Sequence, residues 1–263
     1  MAYLRATGVF STLILFYLLG APVQWVILRV FPARAATLPL LFNRILLHFL
    51  QIRVAVYGEP PQIFAKDHVL PQLLVSNHVS WTDIPALGTL NTISFLSKSE
   101  VARWPIISTF ARLQRTIFVD RQSRKSIRDA NAAMARRMLD GGWVALFPEG
   151  TTTDGSAVGH FHSSHFAAAR DLLEKAPHVK AVRVHPVAIH YSSAHAAWLG
   201  DDLLLPHVIL LTKGAPVTCE LFFCPPALFD RATDRKAIAQ LCTQRIEDAL
   251  AIGEASRSAL AAQ

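Results

Sequence analysis

Twenty consecutive residues near the N-terminus, Val9 to Leu28, carry no charge. Wound as an α-helix at about 1.5 Å per residue, they reach roughly 30 Å, the thickness of a bilayer's hydrocarbon core. The competing reading is a cleaved signal peptide, with Arg5 as its basic start and Leu18-Leu19-Gly20-Ala21 as a poor cleavage region. Retention is the better reading, because the apolar run continues through Trp25, Val26 and Ile27, past the roughly 7–15 residues of a leader's core. Pro22 kinks such a helix, which leaves a re-entrant hairpin open beside a full span. Arg29, Arg34 and Arg44 follow the segment, and Arg5 alone precedes it. That bias puts the rest of the chain on the cytoplasmic face of the cell (inner) membrane. Leu38 to Leu50 is apolar on a wide helical face and too short to span. It reads equally as an interfacial helix or as a core helix. Residues 1–51 are thus assigned to N-terminal membrane-anchoring helices and 52–263 to an α/β domain.

The size of the chain, 263 residues, suits one such domain with an N-terminal extension. Hydrophobic residues make up 52% and charged residues 17%, against roughly 45–50% and about 25% in ordinary soluble domains. The excess implies a membrane segment, a lipid pocket or both. A formal charge of +7 favours an anionic membrane surface or phosphorylated ligands. Nucleic acid is not an expected partner, since no recognition module or dense basic helix is present. Cys219, Cys224 and Cys242 form no C-x-x-C pair and no metal spacing, and read as inert core thiols.

After Pro60-Pro61 short apolar strands alternate with helical patterns. The strands are expected at Ile52–Tyr57, Leu73–Ser76, Ile93–Leu96, Thr116–Val119, Trp143–Phe147, Val182–His190 and Val217–Phe223. Helices are expected at Ile84–Leu90, Ile106–Leu113, Ser126–Leu139, Ser164–Ala176 and Ala232–Ala251. Such alternation implies an α/β fold: a mixed, largely parallel sheet flanked by helices. Working residues then belong at the C-terminal ends of strands, where His78 and Glu149 both fall.

His78 precedes Asp83 by five residues in Asn77-His78-Val79-Ser80-Trp81-Thr82-Asp83. A lipid hydroxyl is a weak nucleophile near neutral pH and needs a base whose pKa is near ambient, as an imidazole's is. A carboxylate on the other ring nitrogen fixes the tautomer and stabilises the imidazolium. The plain alternative is that Ser80-x-x-Asp83 is a capping box; one carboxylate serves both roles only in part.

Three further blocks accompany this pair, in order: Thr116-Ile117-Phe118-Val119-Asp120-Arg121, Phe147-Pro148-Glu149-Gly150-Thr151, and Val184-His185-Pro186-Val187-Ala188-Ile189. Together they resemble the lysophospholipid acyltransferase superfamily, typified by 1-acyl-glycerol-3-phosphate acyltransferases, from about Arg53 to Ala188. Ser97-Lys98-Ser99-Glu100 is also similar to members of that family. The resemblance implies that His78 is the general base and Asp83 its orienting partner. It implies direct attack on the thioester of acyl-CoA or acyl-carrier protein, as co-substrate, with no cofactor and no acyl-enzyme. The lack of G-x-S-x-G agrees with that. It places Arg121, Glu149, Gly150 and Thr151 around the acceptor head group. A guanidinium suits an anionic group there, and Glu149 is expected to position Arg121 or an acceptor hydroxyl.

The third block departs from the F-P-E-G-T-R of phosphatidic-acid-forming members, because Thr152 stands where the arginine would be. This version resembles the branch that includes lyso-ornithine lipid acyltransferases. Arg115, where relatives often carry glycine, is a second candidate cation for the acceptor. The expected acceptor is 1-acyl-glycerol-3-phosphate, giving phosphatidic acid, with lyso-ornithine lipid as the alternative. A lipid hydrolase or thioesterase that activates water with the same pair is a competing class, and a catalytically silent membrane adaptor is a third. His160-x-His162-x-x-His165 has metal-like spacing, but reads as a polar loop at the rim of the site, and no metal is expected.

Overall fold

The structure, a computed structural model, describes residues 2–31, 34–61, 70–200 and 202–261. It opens on a helix with three sections: α1 (Ala2–Leu15), a π-helical turn (Phe16–Gly20) and α2 (Ala21–Val30). The π turn sits just ahead of Pro22. A proline ring collides with the carbonyl four residues back and has no N–H to give it. Widening the ladder, with Ala21 N–H on Phe16 O, relieves both. Tyr3–Val30, at 28 residues and a mean hydropathy of 1.8, is long and apolar enough to cross a membrane.

One side of this helix packs on the rest of the protein. Val9, Thr12 and Gln24 are buried, α1 lies against α3 (Thr37–Phe49), and the Phe49 ring packs directly on Gly8. A Cβ on Gly8 would stand 2.2 Å from the Phe49 ring. The two readings of Leu38–Leu50 resolve toward the core helix: Pro39, Phe42, Asn43, Leu46 and Leu47 of α3 are buried. Phe42, Leu46 and Leu47 share one cluster with Leu74, Ile93 and Trp143.

The sheet runs β1 (Ile52–Tyr57), β7 (Val217–Phe223), β6 (Ala181–Tyr191), β2 (Gln72–Ser76), β5 (Trp143–Leu146), β3 (Ile93–Lys98), β4 (Ile117–Val119), with β8 (Ala227–Asp230) also on β6. Five neighbours, β6-β2-β5-β3-β4, are parallel. Strands β7 and β8 run antiparallel to β6, and β1 runs with β7. The expected mixed, largely parallel sheet is what forms. Pro186, lacking an N–H, sits where the neighbour of β6 changes from β8 to β7, the place where a missing donor costs least.

Helices cover both faces. On one lie α6 (Arg124–Leu139), α7 (Ala167–Lys175) and α9 (Arg235–Ala261), over a cluster that includes Met134, Leu146, Phe166 and Phe229. On the other lie α1, α3, α4 (Asp83–Leu87) and α8 (Leu204–Lys213), with α5 (Pro105–Leu113) near α2. The sequence reading assigned neither α8 nor β8. Pro206 falls within the first turn of α8, where proline is tolerated. Helix α6 starts two residues early because Ser123 Oγ caps Ser126 N–H at 3.2 Å. Cys219, Cys224 and Cys242 are buried and free; burial pushes the Cys224 thiol up to about 11.

His185 and Gln72 are paired inside the sheet, Nε2 to Oε1 at 2.5 Å. Burial, and then the charge of Arg183, lowers the His185 pKa to about 4. His165 is lowered likewise by burial. Unfolded histidine takes its proton near pH 6.5, whereas these folded ones resist until about 4. Stability therefore falls as pH drops across that window. His185→Gln is expected to flatten this slope in unfolding midpoints measured from pH 7 to 4.

Candidate active site

Strand β2 ends at Ser76, whose Oγ donates to Val187 O at 2.6 Å. Asn77 then pairs with β6 through its side chain: Nδ2 donates to Ile189 O at 2.9 Å, and Oδ1 accepts Ile189 N–H at 2.8 Å. The amide prolongs the ladder by one rung and fixes where His78 emerges.

His78 is held on every side. Its Nδ1 lies 2.7 Å from Asp83 Oδ2. Because an ionised carboxylate only accepts, Nδ1 carries the proton and Nε2 is the basic nitrogen. The ring stacks on Phe147 at 4.0 Å between centroids and 14° between planes. The backbone N–H donates to Glu149 Oε2 at 2.9 Å, and the backbone carbonyl accepts Thr153 N–H at 2.8 Å. The side chain keeps 17% exposure, so the ring is fixed yet reachable.

Asp83 is fully buried and accepts four hydrogen bonds. Oδ2 takes His78 Nδ1, Val79 N–H at 2.8 Å and Ser80 N–H at 3.0 Å. Oδ1 takes the Tyr191 hydroxyl at 2.7 Å. The capping and orienting roles therefore coexist more fully than expected, because one oxygen serves both the imidazole and the turn into α4. Since Tyr191 donates to Asp83, Thr82 Oγ1 donates to the Tyr191 oxygen at 2.8 Å. Burial, and then the Asp83 charge, holds the Tyr191 phenol protonated, well above its ordinary pKa. Tyr191 was missed from the sequence. Its signal was the parity of β6, since Val187, Ile189 and Tyr191 share the face toward α4.

Glu149 is 7% exposed and clamps main chain. Its Oε2 receives His78 N–H and its Oε1 receives Gly159 N–H at 2.7 Å. Both oxygens are directed at main chain and neither at Arg121. Burial raises its pKa, opposed by the two backbone N–H groups. Arg121 leaves the end of β4, two strands from β5 and so roughly 10 Å across the sheet. Its Nη1 donates to Gly150 O at 2.8 Å, which places the exposed guanidinium on the same strand-end rim as His78. Gly150 has φ +76, and a Cβ there would press on Arg121 Nη1 at 3.3 Å. Thr151 is exposed beside it.

Arg115 is not brought in. It precedes β4, at the opposite end of that strand from Arg121, and its charge acts on Arg137 near the end of α6. Its φ of 61 explains why glycine is at home at such a position. His160, His162 and His165 form a chain of rings, with centroids 4.9 and 6.3 Å apart. Among the described residues no group of three His, Cys, Asp or Glu is placed to hold a metal ion.

A segment the sequence reading left unassigned covers this loop. Trp198 N–H donates to Val79 O at 3.0 Å, and Trp198 O accepts Thr152 Oγ1. Trp81 Nε1 donates to His207 Nδ1 at 2.9 Å, and His207 Nε2 donates to Ala197 O at 3.0 Å.

A carboxylate-backed imidazole stands at the open end of a parallel sheet, with a guanidinium on the same rim. The acyltransferase family model matches residues 62–190. The lyso-ornithine lipid O-acyltransferase of Brucella abortus is 35% identical over 236 residues, covering 86% of each chain. The Rhizobium meliloti enzyme of that name is 35% identical over 86% of this chain and 79% of its own. The 1-acyl-sn-glycerol-3-phosphate acyltransferase of Neisseria gonorrhoeae is 34% identical over 41% of this chain and 42% of its own. The fold matches the crystal structure of the 1-acyl-sn-glycerophosphate acyltransferase PlsC from Thermotoga maritima with a TM-score of 0.62. That match is at 20% identity over 94% of this chain and 95% of that one. The chain belongs to the acyltransferase family.

Tyr191→Phe removes one of the four donors to Asp83 and leaves the packing. It is expected to lower kcat roughly tenfold, the scale of one lost hydrogen bond to a charged group, with the acceptor KM and the circular dichroism unchanged. Steady-state assays with a labelled acyl donor measure this.

Proposed function

We propose that this protein transfers a fatty acyl group from acyl-CoA or acyl-carrier protein to the free hydroxyl of a lysolipid, with lyso-ornithine lipid as the acceptor. The observation that carries the chemistry is the 2.7 Å pair between His78 Nδ1 and Asp83 Oδ2, at the C-terminal edge of β2. His78 Nε2 takes the proton from the acceptor hydroxyl as its oxygen attacks the thioester carbonyl carbon. The new C–O bond forms and the carbonyl electrons move to oxygen. Collapse restores the carbonyl and breaks the C–S bond, and the imidazolium returns its proton to the departing thiolate. Asp83 stabilises the imidazolium in between. Glu149 and Thr153 hold the His78 main chain, and no cofactor enters these steps.

Two observations favour lyso-ornithine lipid over the 1-acyl-glycerol-3-phosphate first expected. The relatives that match along most of both chains carry the former name, and those named for the latter match over 41% of this chain. In addition Thr152, in the place of a cation, donates to the Trp198 carbonyl. With one cation absent there and Arg115 remote, Arg121 is left to meet a single negative group such as a carboxylate. The protein is seated on the inner membrane by its N-terminal helix, with the α/β domain on the cytoplasmic, anionic surface and Arg29 and Arg44 following the apolar run.

His78→Ala is expected to lower turnover by roughly 10²–10⁴-fold, the usual worth of a general base, with folding preserved; full activity would refute its role. In a panel of lysolipids offered with one labelled donor, lyso-ornithine lipid is expected to be acylated at least tenfold faster than lysophosphatidate. Donor consumption that proceeds equally without acceptor would instead mark a thioesterase.

A further inference from the structure

The leucines on the outer side of α8 stand largely exposed. Leu203, Leu205 and Leu210 are 71%, 54% and 48% exposed, while His207, Val208, Leu211 and Thr212 of the same segment are buried. An amphipathic helix normally turns its apolar side inward and its polar side out. This one is apolar on both sides, a pattern expected where the outer medium is not water.

Helix α8 packs against α1, so its outer leucines adjoin the exposed apolar side of the N-terminal helix. That side includes Leu4 at 71%, Ile14 at 53%, Leu18 at 61% and Leu19 at 62%. The same region is tied to the catalytic loop, by Trp81 to His207 and by Trp198 to Val79. We propose that α8 is a second membrane-seating element, lying in the bilayer surface beside the N-terminal helix. The loop carrying His78 thereby opens onto lipid, and a lysolipid reaches it sideways from the membrane. The occupant is the bilayer, because the face continues an apolar helix long enough to span one. Lys213, exposed at the end of α8, is placed to reach the head groups. This proposal rests on the reading of the protein as membrane-seated.

The test uses the full-length protein with single reporter cysteines replacing Leu205, Val26 or Ile252, each labelled with a fluorophore; the three native cysteines are buried. Labelled protein is added to phosphatidylglycerol–phosphatidylethanolamine vesicles whose acyl chains carry a quencher. Quenching is expected at 205 to match that at 26 on α2 and to exceed severalfold that at 252, an exposed residue of α9. Quenching at 26 with 205 no higher than 252 overturns the proposal and leaves the membrane seat standing. No quenching at 26 or 205 overturns both. Cross-linking of one Leu205→Cys chain to another would give the face to a second copy and likewise overturn it. As an independent readout, the Leu203→Glu/Leu205→Glu/Leu210→Glu variant is expected to lose at least tenfold in the ratio of activity on vesicle-borne acceptor to activity on the same acceptor in detergent micelles. An unchanged ratio refutes the proposal.

Discussion

The buried carboxylate of Asp83 organises the site. Four donors converge on it from three places: the His78 ring, the Val79 and Ser80 amides, and the Tyr191 hydroxyl. A buried charge is tolerated only when its lone pairs are filled, so the carboxylate imposes a conformation on everything that fills them. The loop must turn tightly into α4 to present its amides. Strand β6 must extend far enough to present Tyr191. The imidazole must show Nδ1–H inward, which leaves Nε2 as the basic atom.

The sheet supplies the frame for that convergence. Strands β6, β2, β5, β3 and β4 run parallel, so their C-terminal ends collect Tyr191, His78, Glu149 and Arg121 on one rim. Side-chain hydrogen bonds then act where strand pairing stops. Asn77 extends the β2–β6 ladder, and Glu149 clamps the main chains of His78 and Gly159 together. Phe147, one residue past β5, gives the imidazole a flat surface to rest on. The opposite sheet face carries α6, α7 and α9 and no residue of this relay.

Much of this was legible in the residues themselves, and the exceptions have physical causes. Strand and helix positions followed from apolar periodicity, which depends on burial alone. The His78–Asp83 pair was visible because both partners lie in one turn, five residues apart. Glu149 was recognised and expected to position Arg121 or an acceptor hydroxyl; the fold turns its two oxygens toward backbone amides, one 71 residues away in sequence and one 10. Arg115 was a second candidate cation beside Arg121, yet the three-residue strand β4 separates them to opposite ends. Helix α8 was left unassigned; its Pro206 stands in the first turn, where proline is tolerated.

The amino-acid order alone determined the class of fold, the apolar N-terminal helix and the pairing of His78 with Asp83. Each of those depends on spacing within a short stretch of chain, where covalent connectivity already sets the geometry. Only the tertiary structure decided that Tyr191 donates to Asp83, that Glu149 holds His78 by its main chain, and that α8 packs on α1 and is tied to the loop carrying His78. These pairings join residues about 70 to 130 positions apart. They exist because the parallel crossovers stack strand ends side by side, a proximity that no local pattern encodes.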